Sequence, residues 1–454
     1  MSDNFLKNYL RGEASYGFWN IVARGIAGVN TFICISALTL YEYGSFQLLL
    51  ASYAGVSVLL NIGSGVIRND ILRFEAEGHS EKAKKLFIEV FIFRFATGVF
   101  LWLAVFFSAP ILSLKYGPDY ILLIKVISFL FLHDALISNL TTLIEMRKKF
   151  NVVASRFSIA KFSQLAILVI ALIFYRVDLR VVVISMVLSL FISMIFIIKP
   201  FIESYYSWDN IKKSKDHFLF KILGSYGKWE VVEPAVSRFS SLFETWAIKL
   251  FINTEAVAIF SIAQMIISTL SGLLPVKTFL TLIPLQINNE EKLRKIYTNS
   301  IKYLSIFSIT VALVSFFIIP IIISMFFVKY EVSLPYFRAL LLTLPLHTII
   351  GISSIFLISL RRQKFLFSQK ILKIAVVIPL YILLLPRLWL WGLVAETYIW
   401  LSVVMFSVYF YLKNTTPRLF ITWIDIFKFS SEDKTFLSGL MYDVKMYTRK
   451  LLHI

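Results

Sequence analysis

Long apolar runs alternate with short polar segments along the whole chain, and most runs are close to the ~20 residues that an α-helix needs to cross a bilayer. Runs of this length are typical of transmembrane helices, because a helix satisfies its backbone hydrogen bonds within itself. Twelve spans are predicted, at about 17–39, 44–67, 86–108, 120–144, 152–174, 181–200, 229–251, 256–285, 301–327, 335–360, 370–386 and 391–412. The pattern therefore predicts an all-α polytopic membrane protein.

The composition agrees with this class. The chain has 454 residues, of which 58% are hydrophobic and 16% charged, and its mean hydropathy is +0.77. A soluble domain of this length could not cover so much apolar surface with polar groups. The one cysteine, Cys34, lies inside an apolar run, which excludes an intrachain disulfide and indicates a packing role. The N-terminal segment lacks a short apolar stretch with a cleavage site, so no cleaved signal peptide is expected.

The formal net charge of +19 is distributed very unevenly among the loops. The N-terminus, the loops on its side and the tail contain 34 of the 46 lysines and arginines, whereas the alternate loops contain five. The positive-inside rule therefore predicts that both termini lie in the cytoplasm. Since the basic excess is explained by topology, we expect the lipid bilayer as a partner and no nucleic acid.

The chain also repeats itself at an interval of about 210 residues. The phrase FFSAPILSLKYGPDY at 106–120 returns in stretched form as FFIIPIIISMFFVKYEVSLPY at 316–336. The loop HSEKAKKLF at 79–87 matches NEEKLRKIY at 289–297. Six spans separate the copies, and because six is even, both copies have the same orientation in the membrane. This indicates a parallel repeat.

The repeat predicts two six-helix lobes around a central cavity. The N-terminal lobe is predicted at 1–210, the C-terminal lobe at 211–415, and a cytoplasmic amphipathic tail at 416–454. The inward segments 201–228 and 413–454 combine Phe and Leu with Lys, as interfacial helices do. In transporters built from repeats, the substrate site is expected between the two repeats.

Several polar and charged side chains lie inside the predicted spans, where a charge costs roughly 2.5–3.5 kcal/mol on insertion scales. Unpaired charges should therefore face a cavity or a partner. The candidates for a hydrophilic, partly cationic lumen are Asn20, Arg24, Thr31, Asn61, Arg238, Gln264 and Lys277. The alternative for the Thr and Asn positions is that small polar residues hold neighbouring helices together. Arg94 lies near a span end, and we expect its side chain to reach toward the interface.

Nothing in the sequence indicates an enzyme or a cofactor. There is no phosphate-binding G-x-x-x-x-G-K-[ST] motif, no cluster of metal ligands and no G-x-S-x-G elbow. Energy for transport must then come from an ion gradient or from the cargo gradient. The candidate ion-coupling residues are Glu230, Glu233, Glu244, His133 and His347. For the two histidines, the alternative is an imidazole hydrogen-bonded to a neighbouring helix.

Three stretches resemble a known family. LYEYGSFQLLLAS at 40–52, NIGSGVIRNDILRFEAEGHSEKAKKLF at 61–87 and KYGPDY at 115–120 are similar to bacterial polysaccharide-export flippases. These are the O-antigen (Wzx-type) translocases of the multidrug/oligosaccharidyl-lipid/polysaccharide (MOP) superfamily. The resemblance is greatest in the first four spans and reaches the others through the repeat.

The resemblance implies two six-helix bundles around a V-shaped cavity that faces each side of the bacterial inner membrane in turn. The cargo would be an undecaprenyl-pyrophosphate-linked oligosaccharide, a repeat unit of O-antigen, capsule or exopolysaccharide, moved from the cytoplasmic to the periplasmic leaflet. Family members line the lumen with cations, and the matching residues here are Arg24, Arg238 and Lys277. We expect a monomer, with a glycan polymerase complex as a further candidate partner.

The residues support this cargo independently, because a diphosphate needs cations and a sugar chain needs hydroxyl or amide groups. Three rivals remain. A cation-coupled multidrug exporter is disfavoured by a cationic lumen. A major-facilitator transporter is disfavoured because RNDILRFEAEGHSEKAKK lacks that family's glycine-and-basic signature. An integral-membrane glycan polymerase or ligase usually has a sizeable outward loop, and the predicted outward loops are short.

Overall fold

The computed structural model describes residues 2–61, 64–113, 119–147, 149–212, 214–222, 224, 228–274, 290–360 and 362–416, with most side chains from residue 17 onward. Within these ranges the regular structure is entirely helical, with no strand. The predicted all-α class is therefore confirmed.

The helices follow one another with short connections. The first ten are α1 (Ser2–Ala37), α2 (Leu40–Val56), α3 (Ser64–Ala76), α4 (Ser80–Ser113), α5 (Asp119–Met146), α6 (Phe150–Phe174), α7 (Leu179–Tyr206), α8 (Leu219–Ile222), α9 (Lys228–Phe251) and α10 (Thr254–Gly272). The others are α11 (Glu290–Phe326), α12 (Leu334–Leu341), α13 (Leu344–Ser359), α14 (Gln363–Leu388) and α15 (Trp391–Thr415). Short 3₁₀-helices occupy Ser57–Asn61 and Val328–Ser333.

Among the described residues, ten helices are long and apolar enough to cross a membrane. An eleventh span forms if Val328–Leu341 and Leu344–Ser359, which are bent by 50° at their junction, count as one. The seventh predicted span corresponds to α9, which is 24 residues long but contains six charged residues. These charges keep α9 outside the apolar set. The chain is a multi-pass membrane protein, and the total of twelve spans and the cytoplasmic termini stay predictions.

The helices form two compact units. The first comprises Met1–Ala263, Pro320–Tyr336 and Lys370–Glu396. The second comprises the remaining segments, Gln264–Ile319, Phe337–Gln369 and Thr397–Ile454. The predicted lobes at 1–210 and 211–415 stay a prediction, and 417–454, almost the whole predicted tail, lies outside the described residues.

In the first unit α4 packs along α5, α1 along α6, and α7 against both α5 and α6, while α2 contacts α9. Polar contacts fix the register of α1 on α6. The indole Nε1 of Trp19 donates to Asn151 Oδ1 at 2.6 Å, and Ser158 Oγ donates to the Trp19 carbonyl at 2.9 Å. Farther along, Asn30 Nδ2 donates to the Lys161 carbonyl at 2.9 Å. One face of α1 is thereby committed to α6.

The segment after α7 is anchored on α4 and α5. Lys84 is buried and donates through Nζ to the carbonyls of Trp208 at 2.6 Å and Ile211 at 3.0 Å. The fully buried Trp208 donates through Nε1 to Glu75, which also pairs with Arg147 at 2.9 Å. This part of the predicted interfacial segment 201–228 therefore belongs to the core of the first unit.

The second unit has a core of its own around α11, α13 and α15. The rings of Tyr297 and Phe356 stack with centroids 4.2 Å apart, and the Tyr297 hydroxyl hydrogen-bonds with Ser353 at 2.8 Å. At the edge of this core, Gln369 Nε2 donates to Ser407 at 2.9 Å. Polar side chains in both units therefore face neighbouring helices, as expected for helices that cannot hydrogen-bond to lipid.

Candidate functional site

Two predicted lumen residues, Asn20 and Arg24, lie on the exposed side of α1, turned away from α6. At 3.6 residues per turn, their stripe is about 100° around the helix from the line of Trp19 and Asn30. Thr31, farther along the same stripe, is half-buried. Within the described part of the chain, no hydrogen bond or ion pair involves Arg24. Its guanidinium is therefore available to an anion.

Arg238 is exposed on α9, and its charge acts electrostatically on Tyr53 of the neighbouring α2. Arg24 and Arg238 thus belong to the same compact unit. Two other predicted residues, Gln264 (exposed) and His347 (half-buried), belong to the second unit. The predicted residues that lie outside the described residues, in whole or by their side chains, are Lys277, Asn61, Glu230 and Glu233.

Asp134, in the middle of α5, is a polar centre in the first unit. Its carboxylate accepts a short hydrogen bond from the Tyr53 hydroxyl and a second one, of 2.9 Å, from Nδ1 of His133. Because a carboxylate only accepts, the His133 proton toward Asp134 is on Nδ1. The imidazole is 2% exposed and its edge meets the ring of Phe191. The described partner of this buried histidine is therefore the adjacent Asp134, which also accepts a hydrogen bond from Tyr53 of α2.

Arg156 of α6 supplies a positive charge to this centre. It is buried, interacts electrostatically with Asp134, and lies over the Phe157 ring at 4.3 Å. The Asp134 carboxylate lowers the cost of burying this cation, although no direct ion pair joins the two among the described residues. The exposed Arg238 acts electrostatically on Tyr53, whose hydroxyl donates to Asp134.

A second polar centre joins α9, α14 and α15 in the first unit. The buried phenol of Tyr381 hydrogen-bonds with the carboxyl groups of both Glu244 and Glu396, and its ring stacks on Phe243 at 6.1 Å. A phenol has one proton, so it cannot donate fully to two ionised carboxylates. Two carboxylates this close also repel one another unless a proton or a cation is shared between them. The centre is thus chemically suited to taking up and releasing a cation.

A third arrangement joins the end of α1 to the 3₁₀-helix Val328–Ser333. Lys329 Nζ donates to the carbonyls of Ser36 at 2.7 Å and Leu38 at 2.5 Å. The adjacent Tyr330 is fully buried and meets the ring of Tyr43 with centroids 6.0 Å apart. A cation at the carbonyl end of a helix is favourable because it satisfies acceptors that have no partner within the helix. We call these five residues the outer clamp, since the predicted topology places them on the outward side.

Neighbouring contacts extend the outer clamp. The ring of Phe32 meets the ring of Phe327 at 4.9 Å. Gly44 of α2 lies so close to the Thr254 carbonyl that a Cβ atom there would collide with it. Lower down, Trp246 Nε1 donates to Ser52 Oγ at 3.0 Å. The first two helices are therefore tightly joined to later parts of the chain at this end.

The sequence prediction for Arg94 of α4 is wrong. Arg94 does not reach toward an interface; it is 4% exposed and donates to Ser138 at 2.8 Å and Asn139 at 3.3 Å. Both partners lie on α5, against which α4 packs, so Nη1 of the guanidinium is held inside the protein rather than at an interface.

Sequence reasoning also missed functional candidates, namely Asp134, Arg156, Tyr381 and Glu396. For Asp134 and Glu396 a signal existed, because each is a carboxylate inside a predicted apolar span. Arg156 likewise lies inside the predicted span at 152–174, more than one turn into α6. Nothing in the local sequence marks Tyr381.

The all-helical, multi-pass arrangement of these charged groups matches the fold of several solved transporters. With a TM-score of 0.70 and 14% identity, the structure resembles an inward-facing multidrug resistance MATE family transporter of the MOP superfamily, covering 86% of this chain and 96% of that one. The outward-facing form of such a transporter matches with a TM-score of 0.63 at 13% identity, covering 90% and 96%. The lipid II flippase MurJ, in an inward closed conformation, matches with a TM-score of 0.70 at 14% identity, covering 89% and 88%.

The family model of polysaccharide biosynthesis proteins matches residues 9–286, and the chain belongs to this family. A search of curated protein sequences gave no match. The family match and the fold shared with these transporters confirm the resemblance noted in the sequence.

Replacing Asp134 with Asn should destabilise the protein, because the buried Arg156 loses its counter-charge. We expect the free energy of unfolding to fall by about 1–3 kcal/mol, the range for a buried polar group that loses its partner. The thermal melting temperature of the purified protein measures this. In the double variant Asp134→Asn/Arg156→Met most of the loss should be recovered. Asp209→Asn, at an exposed carboxylate, is the matched control. Strictly additive effects of the two substitutions would contradict the pairing.

Proposed function

We propose that the protein is a flippase that moves an undecaprenyl-diphosphate-linked oligosaccharide, a repeat unit of a surface polysaccharide, from the cytoplasmic to the periplasmic leaflet of the bacterial inner membrane. Membership of the polysaccharide biosynthesis family supports the pathway, and the fold of a lipid II flippase supports the class of cargo. The single observation that carries the proposal is the exposure of Arg24 and Arg238 on two helices of the same unit.

The chemistry of these two arginines matches the cargo. A guanidinium can donate two parallel hydrogen bonds to a phosphate, and it stays charged at any physiological pH. Arg156, in contrast, is buried and interacts electrostatically with Asp134. The exposed Arg24 and Arg238 are therefore the arginines proposed to bind the diphosphate. Asn20, Thr31, Asn61 and Gln264 are the proposed sugar contacts and Lys277 the proposed third cation, while the polyprenyl tail remains in lipid.

The second candidate is a cation-coupled multidrug exporter, because a multidrug MATE transporter matches the structure with the same TM-score as the flippase. Drugs exported by cation-coupled systems are usually cationic, and exposed arginines would repel them. The cationic residues therefore favour the anionic cargo.

Alternating access requires a gate on each side of the cargo site. The outer clamp is the proposed outward gate in its closed form. Its parts come from α1 and α2 near the N-terminus and from the 3₁₀-helix Val328–Ser333, which belongs to the second predicted repeat. This is expected for a gate between two repeats. Opening would free the last carbonyls of α1, which water could then satisfy.

The centre of Glu244, Tyr381 and Glu396 is the proposed ion-coupling site. A proton or a monovalent cation held there neutralises one carboxylate, and its release would restore repulsion between α9 and α15. Glu244 was a predicted coupling residue. His133 and Asp134 form a second candidate for proton coupling, and for Glu230, Glu233 and His347 coupling remains a prediction.

Arg24→Ala and Arg238→Ala should each abolish surface polysaccharide, because the diphosphate loses a cation in the lumen. Immunoblots of surface glycan measure this, and membrane fractions confirm insertion. Lys413→Ala, at an exposed lysine near the end of α15, is the matched control and should leave the glycan unchanged. Wild-type glycan levels in both arginine variants would exclude a cationic cargo site at these positions.

Lys329→Ala should open the outer clamp, and Cys34 is a natural reporter. Cys34 is the chain's one cysteine, is buried, and lies one turn before Leu38. Because two charge-assisted hydrogen bonds are lost, we expect Cys34 to react at least about tenfold faster with a membrane-impermeant maleimide added from outside. The neighbouring exposed Glu331→Ala is the matched control, and Cys34→Ser gives the background. An unchanged labelling rate in Lys329→Ala would refute the clamp.

Glu396→Gln and Glu244→Gln should flatten the dependence of transport on the external pH or sodium concentration, because the centre can no longer exchange a cation. Transport rates into proteoliposomes across a pH series and a sodium series measure this. Glu77→Gln, at an exposed residue of the loop after α3, should keep the wild-type profile. If both glutamine variants keep that profile, the centre is structural and coupling occurs elsewhere.

A further inference from the structure

The first unit contains an apolar pocket that the cation sites do not use. It has a volume of about 270 Å³ and lies among α2, α4 and α5, with α9 and α10 at its edge. Its principal apolar walls are Leu48, Leu49, Val56, Ile124, Ile127 and Phe131. A volume near the lower limit of ligand pockets, roughly 300–1,000 Å³, suits a segment of a flexible chain rather than an oligosaccharide.

The polar side chains at the pocket wall are already paired. Ser45 and Tyr120 share a short hydrogen bond, and Ser52 accepts from Trp246 at 3.0 Å while donating to the Leu48 carbonyl at 2.7 Å. Water enters a cavity when unsatisfied polar groups hold it, and it avoids apolar ones. These hydroxyls therefore provide no anchoring for water.

The two remaining hydroxyls of the pocket wall, those of Thr254 and Tyr53, are also hydrogen-bonded. Thr254 accepts a short hydrogen bond from Lys249, and Tyr53 donates to Asp134. A dry pocket of this size leaves its lining atoms without partners on one side, which forfeits dispersion contacts. An apolar occupant restores them.

On its α4 side the pocket lies beside exposed apolar side chains. Leu112 lines the pocket and is 49% exposed, and its neighbours on α4, Phe107 and Ile111, are 71% and 70% exposed. Exposed apolar side chains of a transmembrane helix meet lipid, so a chain that enters beside Leu112 comes from the bilayer. Lipid is as apolar as the pocket, so transfer alone gives no preference for one chain over another.

A preference for a chain with a charged head arises near Tyr53. Tyr53 forms part of the wall and is the residue on which the charge of Arg238 acts. We propose that the pocket binds the isoprenoid segment next to the diphosphate of a polyprenyl diphosphate carrier, while Arg238 holds the diphosphate. This inference rests on the proposed function and adds a site for the tail: the carrier is fixed at both its charged head and the first part of its hydrocarbon chain.

The test uses the full-length protein in nanodiscs of phosphatidylethanolamine and phosphatidylglycerol. A polyprenyl diphosphate with a diazirine near its head is photoactivated, and the labelled peptides are mapped by mass spectrometry. We expect labelling of the α2 and α5 residues that line the pocket, and competition by unlabelled polyprenyl diphosphate but not by added phosphatidylglycerol. A parallel probe with the diazirine in a phosphatidylglycerol acyl chain distinguishes ordinary lipid from the carrier.

Leu49→Trp fills the pocket and should reduce polyprenyl labelling there about tenfold, the change that corresponds to 1.4 kcal/mol of lost packing. Ile92→Trp adds the same ring at an exposed position of α4 away from the pocket and is the matched control. The labelling map of the wild-type protein stands even if a variant fails to fold. Absence of pocket labelling, or labelling by the acyl probe that polyprenyl diphosphate does not displace, would overturn the inference.

The outcomes separate the pocket from the proposed function. Pocket labelling in a protein that moves no lipid-linked oligosaccharide would support binding of the isoprenoid chain in the pocket and would contradict the proposed flippase function. Normal translocation without pocket labelling would remove the pocket and leave the flippase intact.

Discussion

A charged side chain inside a bilayer is stable when the protein supplies its partner or when a ligand does, and this constraint organises the structure. The Asp134 carboxylate of α5 acts electrostatically on the buried Arg156 of α6, and Arg94 donates through Nη1 to polar side chains of the adjacent helix. Against that background, the exposure of Arg24 and Arg238 is informative, because these cations are placed where a diphosphate could serve as their partner.

The same constraint connects the proposed cargo site to the proposed gate and ion-coupling site. Lys329 satisfies the last carbonyls of α1, so the outward end of the helix that contains Arg24 is closed by a cation from a distant part of the chain. Tyr381 joins two carboxylates that could not otherwise lie together in a membrane. Each of these contacts stabilises one arrangement of helices and can be undone by water or by an ion, which is what a transport cycle requires.

The sequence predicted the fold class well, since apolar runs directly report the length of a bilayer-crossing helix. The charged α9 shows the limit of this signal, because its six charged residues interrupt the predicted span at 229–251, and its packing on α2 places it in the first unit. Arg24, Arg238 and Glu244 could be found as charges inside spans. Tyr381 could not, because a tyrosine in an apolar run is ordinary, and its role depends on contacts between helices far apart in sequence. Arg94 was misjudged because position near a span end says nothing about a partner on the next helix.

The most direct test of the cationic cargo site is reconstituted translocation of two cargoes that differ only in charge. A fluorescent oligosaccharide linked to polyprenol through a diphosphate is compared with the same sugar linked directly to polyprenol, and the label exposed on the opposite leaflet is followed by chemical quenching. A cationic cargo site predicts rapid translocation of the diphosphate-linked cargo. The uncharged cargo should move no faster than in protein-free vesicles. Equal translocation of both would contradict it.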